Sequence, residues 1–138
     1  MKKILSSILV LGAIICLAGC GNKPSTLTCT KSSGSNKMAI SANFMGNSLK
    51  SMAVSYDLDY SKYSDSLVST LEKQDFCKKL STAFYQYTLI NCTQKVENKH
   101  MIVNAGVDMN GFTKQQKTGS PELTKQQIEK SGFTCELK

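Results

Sequence analysis

Residues 38–44 alternate strictly: Met38, Ile40, Ala42 and Phe44 are apolar, while Ala39, Ser41 and Asn43 between them are small or polar. A period of two sends each set to one side of an extended chain, so the stretch predicts a strand with one buried face. Residues 49–58 repeat the pattern, with Met52, Val54, Tyr56 and Leu58 set against Ala53, Ser55 and Asp57. Gly46-Asn47 lies between the two runs, and both residue types tolerate positive φ, so a tight turn joins them. Upstream, the Thr-rich residues 26–31 carry Leu27 and Cys29 and predict a first strand. The Ser-Ser-Gly-Ser-Asn stretch of residues 32–36 is its turn. Together these segments predict an antiparallel meander.

The period then changes. Leu67, Val68, Leu71, Phe76, Leu80 and Phe84 recur with helical spacing, interrupted at Gln74-Asp75. This predicts one helix over residues 64–84, with Ser64 as N-cap and Asp65 in the first turn, where the helix dipole favours negative charge. Residues 88–96 return to strand character, residues 97–99 turn, and Met101, Val103, Ala105, Val107 and Met109 alternate again, which predicts a second hairpin. Residues 110–120 are polar and contain glycine, and predict a mobile loop. Thr124 and Gln127 have capping-box spacing, Leu123 and Ile128 that of a hydrophobic staple, and Gly132 is placed for a left-handed helix end. A final strand covers residues 133–137. The order β-β-β-α-β-β-α-β predicts an α+β domain: an antiparallel sheet with two helices packed on one face.

The N-terminus has a different pattern. Lys2 and Lys3 precede an uncharged apolar run over residues 4–17, which ends in Leu17-Ala18-Gly19-Cys20. The run has signal-peptide length and is shorter than the roughly 20 residues of a spanning helix. Small residues before the cleavage point let a peptidase thread extended backbone, and the thiol that follows is the nucleophile that accepts a diacylglyceryl group. These four positions resemble the lipobox of bacterial lipoproteins. They predict a signal peptide over residues 1–19, lipid attachment with palmitate-type chains at Cys20, a tether over residues 20–25 and a single domain over residues 26–138. The expected location is the extracytoplasmic face of the cell membrane. An ordinary signal peptide with a chance cysteine, or an uncleaved anchor, is the competing reading.

Export changes how the remaining cysteines are read. Cys29, Cys77, Cys92 and Cys135 are even in number and scattered, with no C-x-x-C pair and no adjacent histidine. In an oxidising compartment this predicts two disulfides, with free thiols or a metal site as alternatives. Cys29 and Cys135 fall in the first and last strands, which could be sheet neighbours. Cys77 and Cys92 are separated by one turn-back of the chain. That order suggests the pairs Cys29–Cys135 and Cys77–Cys92, with the two other pairings still open.

Charge and chemistry add less. The formal net charge is +7, and every one of the 17 basic residues is lysine. Nucleic-acid readout leans on arginine for bidentate contacts, so no nucleic-acid partner is expected. The single histidine, His100, reads as a solvated turn residue. Asp57, Asp59 and Asp65 lack calcium-loop spacing and read as a polar strand end, and no metal or other cofactor is expected. Tyr56, Tyr60, Tyr63, Tyr85 and Tyr87 gather near the ends of the predicted long helix, either covering the core edge or forming a binding patch. No catalytic constellation emerges, and the chain is read as not an enzyme. The expected function is a membrane-anchored, non-catalytic binding or interaction domain whose partner is an envelope protein or wall component. An inhibitor of a wall-degrading or host enzyme, using residues 110–120, is the alternative. A ligand carrier or enzyme with a sheet-face cavity is a third possibility.

The lipobox and short tether, the paired strands of MAISANFMGNSLKSMAVSYDLDY, and the closing LTKQQIEKSGFTCELK together resemble the small YehR-like lipoproteins, a family of uncharacterised function. The resemblance spans most of the chain after Cys20 as a pattern of elements. It implies surface location and an α+β fold, and supplies no catalytic residues. Cys29, Cys77, Cys92 and Cys135 depart from that pattern and suggest a cysteine-stapled branch.

Overall fold

A computed structural model describes residues 23–85 and 87–138. The signal peptide expected over residues 1–19, and Cys20, Gly21 and Asn22 of the expected tether, lie outside them. The strands are β1 (Pro24–Ser33), β2 (Asn36–Met45), β3 (Ser48–Asp59), β4 (Leu89–Glu97), β5 (His100–Val107) and β6 (Thr134–Leu137). The helices are α1 (Asp65–Glu72), α2 (Phe76–Ala83), α3 (Lys114–Lys117) and α4 (Pro121–Glu129), and a 3-10 turn spans Met109–Gly111. The six strands form one sheet in the order β4-β5-β3-β2-β1-β6, antiparallel throughout. The α+β class and the antiparallel sheet stand, but the expected element order does not: α1 and α2 replace the one long helix, and α3 adds a short helix inside the expected loop.

The predicted long helix is divided because local hydrogen bonds outcompete its continuation. The Asp75 carboxylate accepts from the Lys78 backbone N–H at 2.9 Å and caps α2. Gln94 on β4 accepts from Phe76 N–H at 2.9 Å and donates to the Gln74 carbonyl at 3.2 Å, which fixes the break against the sheet. The last helix starts earlier than its capping-box spacing suggests. Ser120 accepts from Leu123 N–H at 3.1 Å, and Pro121 takes the first helical position, where its missing N–H costs nothing. The capping box belongs instead to Thr113 and Gln116, which open α3. Residues 110–120 are therefore not the predicted loop but mostly short helix. The first strand also begins earlier than expected, since Pro24 and Ser25 already pair with Met45 and Phe44.

Alternation puts Leu27, Cys29, Ile40, Ala42, Phe44, Val54, Leu58, Met101, Val103, Ala105 and Val107 on one face, and all are buried. Two bulges keep this face continuous. Asn43 pairs with Ser51 and Phe44 with Leu49, so Lys50 has no cross-strand partner and both Leu49 and Met52 turn inward. In β4, Ile90 pairs with Gly106 and Thr93 with Asn104, with Asn91 at φ 53°, so Leu89 and Cys92 share the inner side. Val68, Leu71, Phe76, Leu80 and Ile128 of the helices pack on this core. The other face carries small and polar side chains joined across strands: Thr26 Oγ1 donates to Asn43 Oδ1, and Asn43 Nδ2 to Ser51 Oγ, each at 2.9 Å.

Two disulfides staple the fold. Cys29–Cys135 joins facing residues of β1 and β6 and closes a sequence separation of 106. Cys77–Cys92 joins α2 to β4 across a separation of 15. Gly132 has the left-handed backbone its position calls for, at φ 85°. A Cβ there would also meet Lys31 Nζ at 3.3 Å, while Lys31 donates to the Ser131 carbonyl at 2.9 Å. Gly132→Ala is expected to cost about 1–2 kcal/mol in chemical denaturation, from the left-handed penalty alone.

Candidate functional site

The inner face of the sheet is not fully covered. A cleft of about 800 Å³ opens between α2 on one side and α3 and α4 on the other. Met38, Ile40, Phe44, Leu49 and Met52 of β2 and β3 form its floor. Phe84, Tyr87 and Phe112 close one side, and Leu123, Ile128 and Phe133 line the other. The rim is polar, built from Gln115, Gln116, Lys117, Thr118, Thr124, Gln127 and Ser131. The cleft has an apolar floor beneath a few polar groups, and its volume lies within the few-hundred-to-thousand Å³ range of small-molecule clefts.

The walls are fastened rather than loose. Tyr87 and Phe112 stack at a centroid distance of 5.4 Å and tie the α3 segment to the connection after α2. The Gly119 N–H donates to the Asn47 carbonyl at 2.9 Å, and Thr118 bridges to Ser48, so the α3–α4 junction is pinned to the β2–β3 turn. The Cys29–Cys135 bridge holds β6, onto which α4 leads. Lys117 is half-buried and forms no salt bridge with a described carboxylate.

Of the residues singled out by sequence, Tyr87 and part of the 110–120 segment line the cleft, and the others fall elsewhere. His100 is not a solvated turn residue. It opens β5, half-buried, with Nδ1 2.6 Å from Asp57 Oδ1 and Nε2 3.9 Å from Asp59 Oδ1. The turn itself is made by Asn98 and Lys99, at φ 50° and 62°, which leaves His100 paired opposite Asp59. The cluster lies on the polar face at the end of the sheet away from the β2–β3 turn. Among the described residues no group of three or more histidine, cysteine, aspartate or glutamate side chains is placed to hold a metal ion. The tyrosines separate: Tyr60 is buried, with its hydroxyl 3.4 Å from Glu72 Oε1, Tyr56 and Tyr87 are half-buried, and Tyr85 is 79% exposed. Burial raises the Tyr60 hydroxyl pKa, reinforced by the Glu72 charge, and Tyr56 is raised mainly by burial too.

Asp59 moves the other way. The Ser61 backbone N–H, at 2.9 Å, and the Ser61 side chain hold its pKa below the ordinary carboxylate value, with His100 adding a smaller pull. A depressed folded pKa contributes stability above the unfolded value and loses it as pH falls through the folded one. Asp59→Asn is therefore expected to lower the urea midpoint at neutral pH. The gap should close as pH drops below about 4, and a gap constant from pH 7 to 3 would count against this assignment.

Sequence reading assigned the apolar floor to the sheet's buried face and placed Lys117 in the expected loop over residues 110–120 without marking it. The available signals were Phe112, an aromatic isolated in a polar stretch, and the Thr113–Gln116 capping spacing directly after it. Comparison with protein-family models, curated proteins and solved structures finds no match. Among the described residues no helix is long and apolar enough to cross a membrane.

Proposed function

We propose that the chain is a lipid-anchored envelope protein whose domain is a non-catalytic binding module, and that the cleft above β2 and β3 is its ligand site. The observation that carries the binding half is the cleft: an apolar floor, walls held by stacking, hydrogen bonds and a disulfide, and a rim of amides and hydroxyls with no nucleophile–base pair among them. The anchor half is supported by Leu17-Ala18-Gly19-Cys20. Only three residues separate Cys20 from Pro24, a span of at most about 14 Å, so the domain would ride close to the bilayer. Membership of the YehR-like lipoproteins is part of the same proposal.

Cys20 gives the test. Wild-type protein should fractionate with membranes in high salt and carry a diacylglyceryl mass on its N-terminal peptide, because two acyl chains are needed for stable attachment. Cys20→Ala should lose that mass. Wild-type protein released by salt, with no acyl adduct, would contradict the anchor.

A further inference from the structure

Three features of the cleft define what it can hold. The first is its floor, which Met38 and Met52 line together with Ile40 and Phe44. Unbranched thioether side chains adapt to a flexible apolar chain better than a rigid wall does. The second is charge. Lys117 is the one cation among the described lining residues, and no carboxylate lines the cleft with it. A cation on the rim with no carboxylate beside it offers an arriving anion a charge-assisted partner.

The third is position. Lys117, Thr118 and Gly119 lie at the end of the sheet where Gly119 bonds Asn47. The neighbouring Gly46 N–H donates to the Lys23 carbonyl at 2.9 Å. Lys23 is where the chain departs toward Cys20. The charged rim of the cleft and Lys23, the first described residue, are therefore on the same end of the described domain, and an anchor at Cys20, as proposed above, would hold that end within reach of the bilayer.

We propose that the cleft binds a free long-chain fatty acid, with its chain along the Met38 and Met52 floor and its carboxylate against the Lys117 ammonium; this rests on the reading of the cleft as the ligand site. Other lipids fit less well. A diacyl phospholipid would bring a second chain to a cleft with room for one drug-sized ligand. The chains of the Cys20 anchor are esters without a carboxylate, and would leave Lys117 unpaired.

The test uses the full lipidated chain in phosphatidylcholine nanodiscs, labelled with a photoactivatable diazirine palmitate and mapped by peptide mass spectrometry. Adducts are expected on residues 38–52 and 112–133. Unlabelled palmitate should compete about tenfold better than palmityl alcohol, the effect of one charge-assisted contact. Lys117→Gln should erase that preference while Lys117→Arg keeps it, with unchanged circular dichroism in both. Adducts outside the cleft, equal competition by the alcohol, or better competition by phosphatidylglycerol would overturn the fatty-acid assignment. The dye anilinonaphthalene sulfonate separates the two levels of failure. If Met52→Trp displaces the dye but palmitate never binds, only the fatty-acid assignment falls. If Met52→Trp displaces neither probe, the reading of the cleft as the ligand site falls with it.

Discussion

Replacing both Cys29 and Cys135 by alanine is expected to lower the midpoint of thermal unfolding by roughly 15–20 °C. The bridge closes a sequence separation of 106, and loop-closure entropy for a ring near 100 residues is worth about 4.7 kcal/mol. Single domains are stable by only about 5–15 kcal/mol, so this one crosslink is a large fraction of the total. Both sulfurs are also buried in the core, so the alanines lose packing as well as the constraint. The Cys77–Cys92 bridge closes a separation of 15, for which the same reasoning gives about 3 kcal/mol. Scanning calorimetry of the two double variants should rank them in that order. A larger loss for Cys77→Ala/Cys92→Ala would mean that loop closure is not what the long bridge contributes.

The second large effect is on binding. Met52→Trp places an indole on the cleft floor, opposite Ala42 of β2. Overpacking is costly where no space exists, but here the added atoms enter a cleft of about 800 Å³. The variant should therefore fold with near-wild-type stability and lose anilinonaphthalene sulfonate binding by at least about a hundredfold, which is about 2.8 kcal/mol. Fluorescence titration measures this directly. Wild-type affinity in Met52→Trp would place the dye elsewhere on the molecule.

Much of the fold was legible because period-two alternation is a strong signal when only one face is buried. Met38 to Phe44 and Met101 to Val107 each identified their inner residues without ambiguity. Cys29 and Cys135 could be placed side by side because a meander leaves the first strand free to pair with the last. The errors arose where side-chain hydrogen bonds decide. Asp75 caps a new helix within an otherwise helical stripe, and nothing in the apolar spacing records that bond. Ser120 and Pro121 carry the start of α4, while Thr124 offered the same spacing four residues later. Thr113 has a capping box of equal quality inside what looked like a loop. Bulges hid the rest: Lys50 and Asn91 each reset the alternation, so Leu49 and Leu89 face inward against the local parity.

The cleft was the least legible feature, for a physical reason. Sequence patterns mark which residues avoid water, not whether neighbouring elements meet over them. Phe44, Met52 and Ile128 carry the same pattern whether a helix covers them or stands aside. The stacking of Tyr87 on Phe112 and the bonding of Gly119 to Asn47 are tertiary contacts that the apolar pattern does not record. His100 shows the same limit, since its pairing with Asp57 depends on the register of β3 against β5.

The most direct test of the account is native mass spectrometry of the protein drawn gently from cell membranes, wild type beside Met52→Trp. The account predicts a wild-type mass that includes the diacylglyceryl group on Cys20 and a further non-covalent ligand, with Met52→Trp keeping the first and losing the second. An unmodified N-terminus with no bound ligand, or a ligand retained equally by Met52→Trp, would contradict it.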